Sequence, residues 1–176
     1  MKNPQLIKKK ICLLGSFSVG KTSLVRRFVY DVFDDFYLST LGAKVSQKIM
    51  PPVEKEDGSL HQFQLMLWDI EGQEKFSDYL QNYFQGSSGA VLVLDLTRKD
   101  SWQVLSDLKQ QFLQLNPGAK FVLAANKVDL ISDDHLHIRE IGDFARDLQI
   151  DYFLTSAKDG RNVEALFRHL SMQLSE

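Results

Sequence analysis

The sequence predicts a doubly wound α/β fold: a six-stranded, mostly parallel sheet with one antiparallel edge strand and helices on both faces. Two observations point there. Short, near-continuous apolar runs such as "GAVLVLDL" (89–96) and "AKFVLAAN" (119–126) suit parallel strands covered on both faces. They alternate along the chain with segments of helical periodicity. A third observation sets the edge: "AKVSQKIM" and "LHQFQLMLWDI" alternate in hydropathy with no helix between them, which predicts an antiparallel pair.

In chain order, "KKICLLG" (9–15) reads as a short buried strand, and Leu24, Val25, Phe28 and Val29 then recur at helical spacing. The antiparallel pair flanks "PPVEKEDGS", in which Asp57-Gly58 is a hairpin-turn signal. Pro51-Pro52 ends the edge strand, because proline has no N–H to give a ladder. After strand 89–96, Ser101 is read as the cap of a helix that runs to about Leu115, with Asn116-Pro117-Gly118 stopping it. Strand 119–126, a helix over 133–148, strand 150–156 and a helix over 162–174 complete the series. There is no internal repeat, and residues 1–176 read as one domain with its core over about 9–174.

Of the 176 residues, 44% are hydrophobic and 25% charged, and the net charge is −2. That balance gives no basic face for nucleic acid. Lys8, Lys9 and Lys10 read as a solvated lead-in to the first strand. The single cysteine, Cys12, sits in an apolar run and reads as a small buried hydrophobe. With no partner for a disulfide, it fits a reducing compartment. "MKNPQLIKKK" lacks an apolar signal core, position 2 is not glycine, and no apolar run approaches the length of a membrane span. The expected location is cytoplasmic, with no membrane anchor visible.

The chemistry begins at "GSFSVGKTS" (15–23). Gly15-x-x-x-x-Gly20-Lys21-Thr22 follows a strand and opens a helix, the context of a phosphate-binding loop. Backbone N–H groups of Ser18, Val19, Gly20, Lys21, Thr22 and Ser23 line such a loop, and the helix N-terminus adds partial positive charge. Lys21 reaches the β- and γ-phosphates, and the Thr22 hydroxyl ligates Mg²⁺. The run "LWDIEG" ends a strand with Asp69, a carboxylate that can hold Mg²⁺ through a water, and Gly72 leaves a backbone N–H free for the γ-phosphate. In "AANKVDL", Asn126, Lys127 and Asp129 have N-K-x-D spacing; a carboxylate there accepts the paired N–H donors of guanine, which adenine lacks. "TSAKDG" adds the backbone around Ser156 and Ala157 for the guanine oxygen, with Lys158 to cover the ring.

Together these residues resemble a small GTPase of the Ras superfamily, the Rab branch most closely, over residues 10–174. The motifs are "GSFSVGKT", "STLGA", "WDIEGQE", "NKVD" and "TSAKDG". The resemblance implies a P-loop G domain that binds GTP and GDP with Mg²⁺ and slowly hydrolyses GTP. It would signal through two switch segments to effectors, and be reset by an exchange factor and a GTPase-activating protein. By position, Thr40 is the switch threonine that meets Mg²⁺ and the γ-phosphate. Phe33 lies against guanine, Tyr37 lids the phosphates, and Gln73 orients the attacking water. The triad that Rab effectors read falls on Val45, Trp68 and Tyr83, with Val45 replacing the usual aromatic.

Four features depart from the family. Phe17 stands where a small residue is usual, aimed at the space used by Gln73 and by an incoming arginine. Glu71 replaces a small residue; it can repel the γ-phosphate, turn outward or reach a Mg²⁺-bound water. The hairpin before Trp68 is longer than in a typical Rab. The chain closes at "SMQLSE" without the prenylated cysteines of a Rab tail, as fits either a chain that never carries a lipid or a trimmed tail. No arginine lies in an obvious position to act in cis. The leading reading is therefore a slow GTP-hydrolysing switch. The runner-up is a GTP-bound binding module that Phe17 and Glu71 keep from turning over. An ATP-using phosphotransferase is disfavoured by Asn126 and Asp129. His135 and His137, two apart in "DDHLHIRE", read as a solvated helix start rather than a metal site.

Overall fold

A computed structural model describes residues 3–34, 42–70 and 78–175 of the chain. Seven strands and five helices follow in the order β1 (Gln5–Leu14), α1 (Lys21–Tyr30), β2 (Ala43–Ile49), β3 (Val53–Glu54), β4 (Leu60–Ile70), α2 (Asp78–Phe84), β5 (Gly89–Asp95), α3 (Asp100–Leu115), β6 (Lys120–Asn126), α4 (Leu136–Asp147), β7 (Asp151–Leu154) and α5 (Val163–Gln173). A single 3-10 turn, Val128–Leu130, follows β6.

The sheet runs β2-β4-β1-β5-β6-β7. Only β2 is antiparallel on this six-strand path, pairing with β4 from Ala43↔Ile70 to Ile49↔Gln64. The expected architecture is thus the observed one, with β3 added as a short seventh strand against β4. Because β4 and β5 lie on opposite sides of β1, the strand order reverses at the end of β1, where an open α/β sheet leaves a crevice.

Alternation along the central strands builds two cores. Cys12, Leu14, Leu92 and Leu94 point to one face, where Trp102, Leu105, Leu108 and Phe112 of α3 and Ile141 of α4 cover them. Ile11, Leu13, Val91 and Val93 point to the other, against Leu24, Val25 and Phe28 of α1 and Leu166, Phe167 and Leu170 of α5. Both faces of β5 are buried along its whole length, which is why its sequence is an unbroken apolar run. On the second face the Phe28 and Phe167 rings stack with centroids 4.0 Å apart, joining α1 to α5.

Three local expectations are corrected. First, β1 begins at Gln5, not at Lys9, because its backbone pairs with β4 from Gln5↔His61 onward. The basic run is therefore strand, not lead-in. The consecutive Lys9 and Lys10 put Nζ over Phe63 and over Trp68, 5.9 and 4.1 Å from the ring centroids, a cation–π arrangement. Second, Ser101 does not cap α3. It lies within the first turn, where its hydroxyl donates to Arg98 O (2.7 Å) and accepts from Asp95 N (3.0 Å). Third, α4 starts at Leu136 rather than 133, with His135 as its cap accepting from His137 N at 3.2 Å. His137 Nδ1 lies 2.5 Å from Leu96 O and its ring meets Trp102 edge-on, so the two histidines serve the helix start.

The hairpin follows its turn chemistry. Met50 N donates to Phe63 O at 2.8 Å before the two prolines interrupt the ladder. Lys55 N then bonds Ser59 O at 2.8 Å across a turn in which Gly58 has φ 72° and Asp57 Oδ1 accepts from Ser59 N at 2.8 Å.

Phe167→Ala removes a fully buried ring and its stacking partner contact. It is expected to lower unfolding free energy by about 3–5 kcal/mol in urea denaturation; a loss below about 1 kcal/mol would show that α5 is not held by this contact.

Candidate functional site

Residues 15–20 turn sharply between β1 and α1 because two positions there admit only glycine. Gly15 has φ 153°, and a Cβ on it would sit 2.2 Å from Val93 O. Gly20 has φ 101°, and a Cβ on it would sit 2.3 Å from Asn126 Nδ2. The loop thus passes directly over the ends of β5 and β6. Ser18 is held at φ 64°, a left-handed conformation that costs a non-glycine residue about 1–2 kcal/mol and is sustained here by bonds from outside the loop.

Those bonds come from Asn126, which ends β6, and from Lys127 just after it. Asn126 Nδ2 donates to Val19 O (2.9 Å), and Lys127 Nζ donates to Ser18 O (2.8 Å). The Asn126 Oδ1 accepts Thr155 Oγ1 and Ala157 N, both at 3.3 Å. One buried amide therefore joins the glycine loop, the end of β6 and the 155–157 segment. Lys127, itself in a left-handed conformation at φ 66°, is paired with the buried Asp95 carboxylate at 2.6 Å. Asp129 follows half-buried on the 3-10 turn, and its carboxylate has no hydrogen-bond partner among the described residues. Ser156 and Ala157 are buried, whereas Lys158 is exposed.

Lys21 is buried with its ammonium turned onto Gly15 O (2.8 Å) and Ser16 O (2.9 Å). Burial pulls its pKa down to about 8, and the nearby Asp69 carboxylate offsets only part of that. A dianionic group in the loop would restore the favourable charge balance. Thr22, the second residue of α1, donates its hydroxyl to Asp69 Oδ2 at 2.5 Å. Asp69 is 2% exposed at the end of β4. Burial raises its pKa, against the lowering effects of the Thr22 hydrogen bond and the Lys21 charge. Its other oxygen, Oδ1, is buried and has no partner among the described residues. A hydroxyl and a carboxylate with one unpaired buried oxygen are hard oxygen donors, the set that suits Mg²⁺.

Ser18, Val19, Gly20, Lys21, Thr22, Asp69, Asn126, Lys127 and Ala157 are thus brought together at the C-terminal end of the sheet, and Ser23 is half-buried in the first turn of α1. Phe33 is partly buried against the α1/α5-side core, and the Ala157 N–H donates to Asn126 Oδ1 at 3.3 Å. Tyr37, Thr40, Glu71, Gly72 and Gln73 lie outside the described residues. Phe17 is 47% exposed at the loop's outer turn. On the neighbouring face, Val45 pairs opposite Trp68 across β2 and β4, and Trp68 lies 6.4 Å from Tyr83 between ring centroids.

Three residues that brace this site, Arg27, Asp95 and Arg98, escaped the sequence reading. Arg27 Nε donates to Ala157 O (2.9 Å) and Nη2 to Lys158 O (2.6 Å), while Nη1 pairs with Asp31 at 2.9 Å. The i,i+4 pairing with Asp31 was a legible signal; the reach of Arg27 across 130 residues of chain was not. The buried Asp95, which ends β5, anchors Lys127, and Arg98 Nη2 donates to Phe17 O at 2.8 Å.

The model of the Ras family matches residues 10–176. The Ras-related protein Rab-31 of Mus musculus and that of Homo sapiens are each 35% identical over 166 residues, covering 94% of this chain and 82% of theirs. The Ras-related protein Rab-22A of Homo sapiens is 34% identical with the same coverage.

Asn126→Ala leaves Val19 O, Thr155 Oγ1 and Ala157 N without their bonds to this amide. We expect the nucleotide-free protein to lose about 2–4 kcal/mol of unfolding free energy. A loss under about 0.5 kcal/mol in chemical denaturation would show that the three segments are held by other means.

Proposed function

The chain belongs to the Ras family of small GTPases and is Rab-like, and from that premise we propose that it is a slowly hydrolysing GTP/GDP switch whose nucleotide lies across the loop of residues 15–22. The observation that carries the proposal is Asp69 Oδ1, a buried and unpaired carboxylate oxygen beside the Thr22 hydroxyl and the Lys21 ammonium. Thr22 and Asp69, with Thr40 from switch I, would hold Mg²⁺, which when bound neutralises phosphate charge. The N–H groups of residues 18–23 and the Lys21 ammonium bind and orient the β- and γ-phosphates. Gly72 N–H meets the γ-phosphate, and Gln73 holds the attacking water in line. Asp129 selects guanine through its paired N–H donors. Asn126, Lys127, Ser156, Ala157 and Lys158 build and cover that base site, with Phe33 against the guanine and Tyr37 as a lid over the phosphates.

Effectors would engage the adjacent Val45, Trp68 and Tyr83, a reading supported by their side-by-side placement. Val45 is 44% exposed at the sheet edge. Lys10 covers part of the Trp68 ring, so this surface combines a cation with apolar groups. An exchange factor and a GTPase-activating protein would act through the same switches, with the protein in the cytoplasm. No helix among the described residues is long and apolar enough to cross a membrane.

A second reading keeps the nucleotide but not the turnover. Its support is Phe17, whose exposed side chain stands at the loop where a partner's arginine would enter. Single-turnover hydrolysis of preloaded GTP separates the two, run on the wild type and on Phe17→Gly. The switch predicts wild-type turnover on the order of 10⁻⁴–10⁻² s⁻¹. No wild-type turnover, with recovery in Phe17→Gly, would instead establish the non-hydrolysing module.

A further inference from the structure

Arg98 follows β5, far in sequence from the glycine loop, yet its guanidinium is fastened to it. Nη2 donates to Phe17 O at 2.8 Å and Nε lies 3.6 Å from the buried Asp95 Oδ2. The turn that carries Arg98 is closed on itself. Thr97 N and Oγ1 both donate to Asp95 Oδ1 (2.8 and 2.6 Å), Arg98 N donates to Asp95 O (3.0 Å), and Ser101 Oγ donates to Arg98 O (2.7 Å). Asp95 Oδ2 also takes the Lys127 ammonium at 2.6 Å. One buried carboxylate therefore anchors two cations, and those cations grip consecutive loop carbonyls, Phe17 O and Ser18 O. Asn126 grips the next, Val19 O.

The consequence follows from peptide geometry. In a planar trans peptide the C=O and the following N–H point in opposite directions. Holding Phe17 O from outside directs the Ser18 N–H away from Arg98, just as holding Ser18 O and Val19 O directs the N–H groups of Val19 and Gly20 away from their clamps. Ser18 is also the non-glycine residue of this loop with left-handed φ, so the peptide most in need of external restraint is the one Arg98 holds. We propose that Arg98 is a positioning residue for nucleotide binding, aiming the Ser18 N–H at the phosphates through its bond to the Phe17 carbonyl. It completes a three-point outer clamp rooted in Asp95 and Asn126. Arg98 is 41% exposed, so the clamp is loaded by geometry more than by burial.

The inference rests on the nucleotide reading above, and the test separates the two. The probe is GDP with Mg²⁺, read by its release rate and by the ³¹P resonances of the bound nucleotide, for wild type, Arg98→Ala and Arg98→Lys. Arg98→Ala is expected to release GDP about tenfold faster, the effect of losing one partly exposed charge-assisted hydrogen bond, and to shift the β-phosphorus signal. Arg98→Lys, which keeps a cation able to reach one carbonyl, should recover most of both. Release within twofold of wild type and an unchanged ³¹P spectrum in Arg98→Ala would overturn the clamp, whatever happens to its melting temperature. A wild type that holds no GDP at all would overturn the nucleotide reading itself.

Discussion

The functional end of this molecule depends on one buried amide. Asn126 stands at the end of β6 with its nitrogen on Val19 O and its oxygen on Thr155 and Ala157. It ties a loop that begins at residue 15 to one that begins at residue 155. Gly20 passes so close to it that no side chain fits between. A buried side-chain amide with both ends occupied is costly to displace, since each freed group would be left unsatisfied away from water. The glycine loop's shape is thus held from the sheet.

On the loop's other side the arrangement is charged and incompletely paired. Lys21 is buried against two carbonyls, and Asp69 keeps one oxygen without a partner among the described residues. Burial moves the pKa of each toward its neutral form, down for the lysine and up for the aspartate. On the proposed reading, a phosphate would supply charge to Lys21 and a cation would take up Asp69. The loop's carbonyls are held from outside while Asp69 Oδ1 has no partner among the described residues, a contrast that suits a binding site for a charged ligand.

Much of this was legible in the sequence because it is local. The apolar runs of β5 and β6, the helical periodicity after Thr22 and the Asp57-Gly58 turn each report on neighbours within a few residues. The loop motif carries its own glycines at the positions where a Cβ would meet Val93 O and Asn126. What escaped the reading is long-range. Arg27 and Arg98 act on backbone carbonyls 130 and 81 residues away, and a carbonyl carries no side-chain signature to pair with. Ser101 looked like a helix cap because its type fits one; a bond from Asp95 N, six residues back, gave it a different task. The lysines of β1 looked solvated because their charge gives no sign that Lys9 and Lys10 would set their ammonium groups over the Phe63 and Trp68 rings.

On the proposed reading, the Asn126–Asp129 corner makes this a guanine site and not merely a phosphate site. Equilibrium competition tests it most directly: bound GDP is challenged with GTP and with ATP at equal concentration in the presence of Mg²⁺. A corner built around a carboxylate for guanine predicts that GTP displaces GDP while ATP binds at least about 10³-fold more weakly, since adenine leaves that carboxylate unpaired. Displacement by ATP as effective as by GTP would contradict the account and return the loop to a general phosphate cradle.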